Sequence, residues 1–299
     1  MGDFGYGTRT VTHGLILGKP ALLLAPMEGV GDATMREFLT RPGTDGKNPY
    51  DFCFTEFQRV SVTPLSRRTL VRKIPEVGFE TRSGTPLLVQ LLGGHPGRLA
   101  ETARAAIEAG APGIDLNFGC PAPTVNRNDG GATLLKYPDR IFEIVQAVRA
   151  TVPESHSVSA KLRLGWDSHD PIHKNAEMAV RAGASWITIH ARTRMQAYQP
   201  PVYWQKIAEV RREVGSTVPV VANGDIWSLD DFKRCRDLTG AEHFMLGRGA
   251  LVEPKLATQI KVELTGQGRA IPDFETWPRL FGDFALLARE RGHLADGQI

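Results

Sequence analysis

The residues of this chain that could do chemistry recur at one kind of place, the end of a short apolar run. Cys120 lies in NFGCP, where Gly119 and Pro121 impose an irregular turn. No histidine stands near it in sequence, which argues against a thiolate nucleophile. A neutral thiol acting as a proton donor needs no such partner. Lys161 with Arg163, His190 with Arg192, Asn223-Gly224-Asp225 and Gly247-Arg248 close four other runs, Pro26-Met27-Glu28, Glu56 and Gln90 close the remaining three, and Asn117 precedes Cys120 in its own run. The two glycine-bearing stretches can offer backbone N–H groups to phosphate oxygens, and Arg248 adds a guanidinium fork. Lys161, set in an apolar run, needs an anionic partner, either a cofactor or a carboxylate such as Glu56. His190 alone reads as a packed histidine; at a strand end it also reads as a donor to a ligand.

The elements that must position these groups are eight apolar, β-branched runs: ALLLAPM (21–27), DFCFTEF (51–57), PLLVQLLG (86–93), GIDLNFGCP (113–121), VSAKLRLG (158–165), WITIHART (186–193), VPVVANGDI (218–226) and HFMLGRGAL (243–251). They start 25 to 45 residues apart, the length of a strand–helix unit. Helix-period segments lie between them, with Pro138 and Asp139 as a start signal and Gly110 as a stop. Eight such units over roughly 230 residues predict an α/β (β/α)₈ TIM barrel, whose strands are buried on both faces and whose site forms at their C-terminal ends. An open doubly wound sheet would want a G-x-G-x-x-G after a strand, and none is present; PGTDGKN at 42–48 has the wrong spacing for a P-loop. The loop PAPTVNRNDGGATLLK after Cys120 is long, polar and glycine-bearing, the profile of a movable lid.

The chain has 299 residues, with 36 Lys and Arg against 33 Asp and Glu, a net charge of +3, so it is neither polybasic nor acidic overall. At 41% hydrophobic it can bury a large core. The one basic concentration, Arg67, Arg68, Arg72, Lys73 and Arg82 within 59–82, reads as a solvated face or an RNA-facing patch. Cys53, Cys120 and Cys235 are odd in number and far apart, which predicts a reducing, cytoplasmic setting. The opening MGDFGYGTRTVTHG has no apolar stretch of a secretory leader, and no membrane span is expected. A metal site is not expected either: His169 and His173 are interrupted by Pro171, and there is no H-E-x-x-H or paired C-x-x-C. Three regions are predicted: an N-terminal extension (1–20), the barrel (21–264) and a short helical segment (265–299) with a helix from Thr276 to about Gly292.

From about residue 21 to 251 the chain resembles the flavin-dependent tRNA-dihydrouridine synthases, through APMEGVGD, TEFQRV, VQLLG, DLNFGCPAPTVNRNDGGATLLK, KLRLGWD, HARTRMQAY, VVANGDIWS and FMLGRGALVEP in order. The TEFQRV stretch is most similar to the bacterial C-type subfamily. The resemblance implies a barrel that binds FMN through Pro26, Met27, Glu28, Gln90, Lys161, His190, Asn223, Gly224, Asp225, Gly247 and Arg248. It implies Cys120 as general acid, Asn117 and Arg163 at the target uracil or its nucleotide, and Arg59 in tRNA recognition. The implied reaction is reduction of a uridine C5–C6 double bond in the tRNA D-loop, with NADPH as reductant and hydride from reduced FMN; tRNA is the implied partner, and the enzyme is expected to be a monomer. The family's basic helical domain after the barrel has only about 48 residues to occupy here, so part of it is expected to be missing. An FMN barrel reducing a free pyrimidine or another small enone is the alternative.

Overall fold

The computed structural model describes residues 14–15, 18–41, 48–127, 129–266, 282, 284–286 and 289. Each of the eight apolar runs forms a strand, and a ninth, two-residue strand joins them: β1 Ala21–Leu24, β2 Phe52–Phe54, β3 Gln58–Arg59, β4 Leu87–Leu92, β5 Gly113–Asn117, β6 Ser157–Arg163, β7 Trp186–His190, β8 Val220–Asn223 and β9 His243–Leu246. All pair in parallel. β1 bonds to β2 on one side and β9 on the other, and β2 bonds to β4, so eight strands close into a barrel. β3 lies outside that closure, pairing with the upper end of β4 (Gln58 opposite Leu91, Arg59 opposite Leu92).

The helices between strands are α1 Ala33–Leu39, α2 Arg67–Lys73, α3 Pro96–Ala109, α4 Pro123–Asn126, α5 Pro138–Thr151, α6 Pro171–Arg181, α7 Trp204–Val214 and α8 Leu229–Thr239, and α9 Arg248–Val252 and α10 Leu256–Thr265 follow β9. The punctuation works as its chemistry dictates. Pro138 opens α5 with Asp139 in its first turn, and Gly110 ends α3 in the left-handed region (φ 111°). The predicted closing helix over 253–264 is α10, which packs on β1 and ties Lys261 Nζ to Asp51 Oδ1 at 2.6 Å.

Alternation along the strands divides the apolar residues into two cores. The outward set, including Leu22, Leu24, Val89, Ile114, Leu116, Val158, Leu162, Ile187 and Ile189, packs under the helices. On α5, Ile141, Ile144, Val145 and Val148 complete that layer and are fully buried, each worth about 1.5–3 kcal/mol. The inward set, Ala21, Leu23, Phe52, Phe54, Leu88, Trp186 and Val221, plugs the lower half of the lumen. The lower half also carries polar residues: Ser157 and His243 share the inward face with the residues above them.

The predicted N-terminal extension and C-terminal helix fall largely outside the described residues. Those described at 282, 284–286 and 289 are helical, and Phe284 meets Phe38 of α1 edge-on with ring centres 5.2 Å apart. Among the described residues no helix is long and apolar enough to cross a membrane.

Candidate active site

At the C-terminal ends of the strands the lumen opens into a cavity of about 350 Å³. Of the site residues expected from the sequence, Pro26, Met27, Glu28, Gln90, Asn117, Cys120, Lys161, Arg163, His190, Asn223, Gly224, Asp225, Gly247 and Arg248 line it, while Arg59, Glu56 and Arg192 do not. The lining residues arrive from seven strands because each lies in the C-terminal half of its strand or in the turn just beyond. Arg59, on β3, lies on the wall of a neighbouring hollow of about 220 Å³ with Arg98 and Arg140, and donates to Thr124 O at 3.3 Å.

Cys120 sits on a turn that is tied from several directions. Asn117 Oδ1 accepts the N–H groups of Gly119 (3.0 Å) and Cys120 (2.9 Å). Asn117 Nδ2 donates to Gln90 Oε1 at 2.9 Å, and Gln90 Nε2 donates to Asp115 Oδ2 at 2.6 Å. Arg163 grips the same turn through Gly119 O (Nε, 2.9 Å) and reaches Thr193 O and Ala197 O with Nη1. The following loop, whose sequence suggests a lid, is tied at both ends: Ala132 N donates to Cys120 O, and Arg140 bridges Asp129 and Gly94 O at 2.5 Å each. Gly131 has φ 59°, and a Cβ there would stand 2.9 Å from Cys120 O, so the second glycine of the pair is required.

Burial raises the Cys120 thiol above its ordinary value, with Glu28 adding to the effect, and the Ala122 N–H, Arg163 and Arg59 oppose it. The neutral thiol is therefore its form at neutral pH. Lys161 is half-buried on the cavity wall, and its Nζ donates to Asn223 Oδ1 at 3.1 Å. Burial pulls Lys161 down, Arg163 adds to this, and Asp115 opposes it. The carboxylate that faces Lys161 is thus Asp115 and not Glu56, whose Oε1 instead accepts Gly29 N. Burial, then the charges of Arg163 and Lys161, hold His190 well below its usual value, so its ring is neutral. Burial lowers Arg163 to about 10, which still leaves it a cation at neutral pH.

The rim is built on Asp225, which takes a bidentate contact from Arg192 and a bond from Arg248 Nη2 at 3.0 Å. Burial pushes Asp225 up, but the two guanidiniums outweigh it and hold the carboxyl below its usual range. Arg248 lies over the rings of Tyr198 (4.6 Å) and Trp227 (4.8 Å). Sequence reasoning passed over Tyr198 and Trp227, which sit on loops without periodicity. It also passed over Asp115, which carried a readable signal: a carboxylate in mid-strand, two residues before Asn117 and so on the same face. His169 and His173 do not meet. The first packs on Tyr203 and the second pairs with Glu209 and Glu213, and among the described residues no cluster suits a metal ion.

A family model described as dihydrouridine synthase matches residues 23–276. The tRNA-dihydrouridine(16) synthase of Shewanella oneidensis is 48% identical over 246 residues, covering 82% of this chain and 76% of that protein. The enzyme of the same name from Aquipseudomonas alcaligenes is 46% identical over 261 residues, covering 87% and 80%. Among solved structures, DHODH in complex with ferulenol from Eimeria tenella superposes with a TM-score of 0.55 at 11% identity, over 81% of this chain and 80% of that one. A 2-naphthoyl-CoA reductase superposes with a TM-score of 0.58 at 10% identity, over 84% and 52%. At those identities the likeness is one of fold alone.

Proposed function

The chain belongs to the dihydrouridine synthase family, and we propose from that premise how its cavity works. The protein is an oxidoreductase that reduces the C5–C6 double bond of a uridine in tRNA. We assign uridine 16 as its target, because the similar relatives carry that position in their names. The small-enone alternative is not favoured by those names.

FMN is the cofactor we assign to the cavity, with NADPH as reductant. The donor set suits a flavin. Lys161 Nζ is part-buried and has one acceptor among the described residues, Asn223 Oδ1, which leaves two N–H bonds to offer a ligand. Neutral His190 can donate or accept. Pro26, Met27, Glu28, Gln90, Gly224 and Asp225 would complete the walls, and Gly247 with Arg248 would meet the phosphate. When bound, FMN supplies the hydride, drawn from NADPH and delivered to C6 of the uracil.

The chain's own part is positioning and one proton. Cys120 donates its Sγ proton to C5, and the thiolate recovers a proton from solvent, so one hydride and one proton are added. Its raised pKa keeps that proton in place until it is needed. Asn117 can reach a uracil through the second Nδ2 hydrogen, since Oδ1 is committed to the turn. Arg163, a buried cation on the same wall, favours an electron-rich carbonyl. The uridine must leave its stack to enter, and exposed Arg59 with Arg67, Arg68 and Arg72 of α2 offers charge to the RNA backbone outside.

The observation that carries this reading is that Cys120 and Lys161, brought by the neighbouring strands β5 and β6, line one cavity. Its test is nucleoside analysis of unmodified tRNA after incubation with the enzyme and NADPH, with mapping of the reduced position. Dihydrouridine at position 16 is expected. Reduction of a free pyrimidine with tRNA left untouched would overturn it.

A further inference from the structure

Asp115 lies in the middle of β5, fully buried, below the cavity and outside its lining. A carboxylate there is tolerated only if its lone pairs are taken. Two neighbouring strands take them: β4 presents Gln90 and β6 presents Ser159, both in register with Asp115, and each donates to it at 2.6 Å. Burial raises Asp115 to about 6, with the Ser159 and Gln90 hydrogen bonds and Lys161 opposing, so it is mainly ionised at neutral pH. An ionised carboxylate only accepts, so Gln90 points Nε2 down and Oε1 up. Gln90 Oε1 then meets Asn117 Nδ2, and Asn117 is left with Oδ1 toward the turn. That oxygen receives the N–H groups of Gly119 and Cys120. The direction of every bond in this chain follows from the acceptor at its base, and its last link is the main chain that carries the thiol.

We propose that Asp115 is a positioning residue for the reaction, acting through Gln90 and Asn117 to set the turn that holds Cys120 Sγ in the cavity. What the thiol does there rests on the function proposed above; the relay itself does not. Two amides could in principle take either orientation, and each would then let the turn shift. A buried, acceptor-only group removes that freedom. The geometry of a proton donor matters because small misplacements are costly to rate.

The test reads the turn apart from turnover. Cys53 and Cys235 are fully buried, so iodoacetamide applied to the purified, folded enzyme reports on Cys120. Asp115→Leu fills the space without accepting hydrogen bonds. It is expected to raise the Cys120 labelling rate by about threefold or more and to lower kcat about tenfold or more, with KM for tRNA within about twofold. Asp115→Asn can still accept from Gln90 through its oxygen while donating to Ser159, and is expected to restore both values to within about threefold. If Asp115→Leu does not fold, Gln90→Met breaks the middle link, and faster labelling of Cys120 is expected there too. A folded Asp115→Leu enzyme, or a folded Gln90→Met enzyme, with unchanged labelling would overturn the proposal. So would equal losses in Asp115→Leu and Asp115→Asn, which would point to the charge instead of the relay. An enzyme that labels normally but makes no dihydrouridine would count against the proposed function, and the labelling comparison would still decide the relay.

Discussion

The two ends of the barrel lumen hold polar atoms in opposite ways. At the upper end Asp115, Gln90, Asn117 and the Cys120 turn are linked bond to bond, and Lys161 is joined to Asn223. At the lower end Trp186 Nε1, Ser157 Oγ and both ring nitrogens of His243 meet no partner among the described residues, set among Leu23, Phe52, Phe54, Leu88 and Val221. Burial lowers His243, so the neutral ring, which is the cheaper form to bury, occupies that place. Linked polar groups transmit position from one strand to the next, whereas isolated ones only cost stability. Substitutions at the upper end should therefore be read in rate and ligand binding, and those at the lower end in stability.

The largest separation is expected from Cys120→Ala. Product formation should fall by about 10²–10⁴-fold, the usual contribution of a general acid, while the bound flavin spectrum is unchanged. Wild-type dihydrouridine formation by that variant would remove Cys120 from the chemistry. Trp186→Ala should do the reverse, costing about 3–5 kcal/mol in urea unfolding while the folded fraction keeps its kcat within a few fold. A large loss of kcat in fully folded Trp186→Ala would break the division between the two ends. Lys161→Ala should weaken FMN retention about tenfold, measured by flavin fluorescence on dilution, and unchanged retention would show that the ammonium is structural.

The pH profile sharpens the contrast further. Burial lowers Lys161, so as pH rises it loses its proton before an ordinary lysine does, and the raised thiol of Cys120 holds its own proton longer than an ordinary cysteine. Activity should therefore fall on the alkaline side, and Lys161→Ala should flatten the earlier part of that limb in a kcat–pH profile. For stability the sign is opposite. Between the lowered value and 10.5 the unfolded chain binds the Lys161 proton more readily, so this residue's contribution to folding improves as pH rises. The smallest effect is expected at Ser157→Ala. Removing a hydroxyl without a partner should change stability by less than about 1 kcal/mol and in the favourable direction, and a clear loss of stability would mean that the lower end is linked after all.

Much of this was legible because it depends on local rules. Apolar runs at 25- to 45-residue spacing became the eight barrel strands, and Pro138 and Gly110 opened and closed helices where their backbone preferences require. Residues at strand ends were legible as a cavity because a closed parallel barrel brings those ends together. Less was legible where contact joins residues far apart in sequence. The pairing of Arg192 with Asp225, the choice of Asp115 over Glu56 beside Lys161, and the pinning of the 121–136 loop by Arg140 each join residues that no spacing relates. Tyr198 lies on a loop, where neither helix nor strand period can mark it.

By itself, then, the sequence determined which residues are buried in strands, which stand at their ends, and that a thiol follows a turn there. These follow from hydrophobic periodicity and from backbone preferences, which act over a few residues. Only the tertiary structure decided which polar groups meet, in which order they donate and accept, and which way their protonation moves. Hydrogen bonds need partners within about 3 Å and pKa values answer to burial and nearby charge. In this barrel both are set between strands, and so only once it has closed.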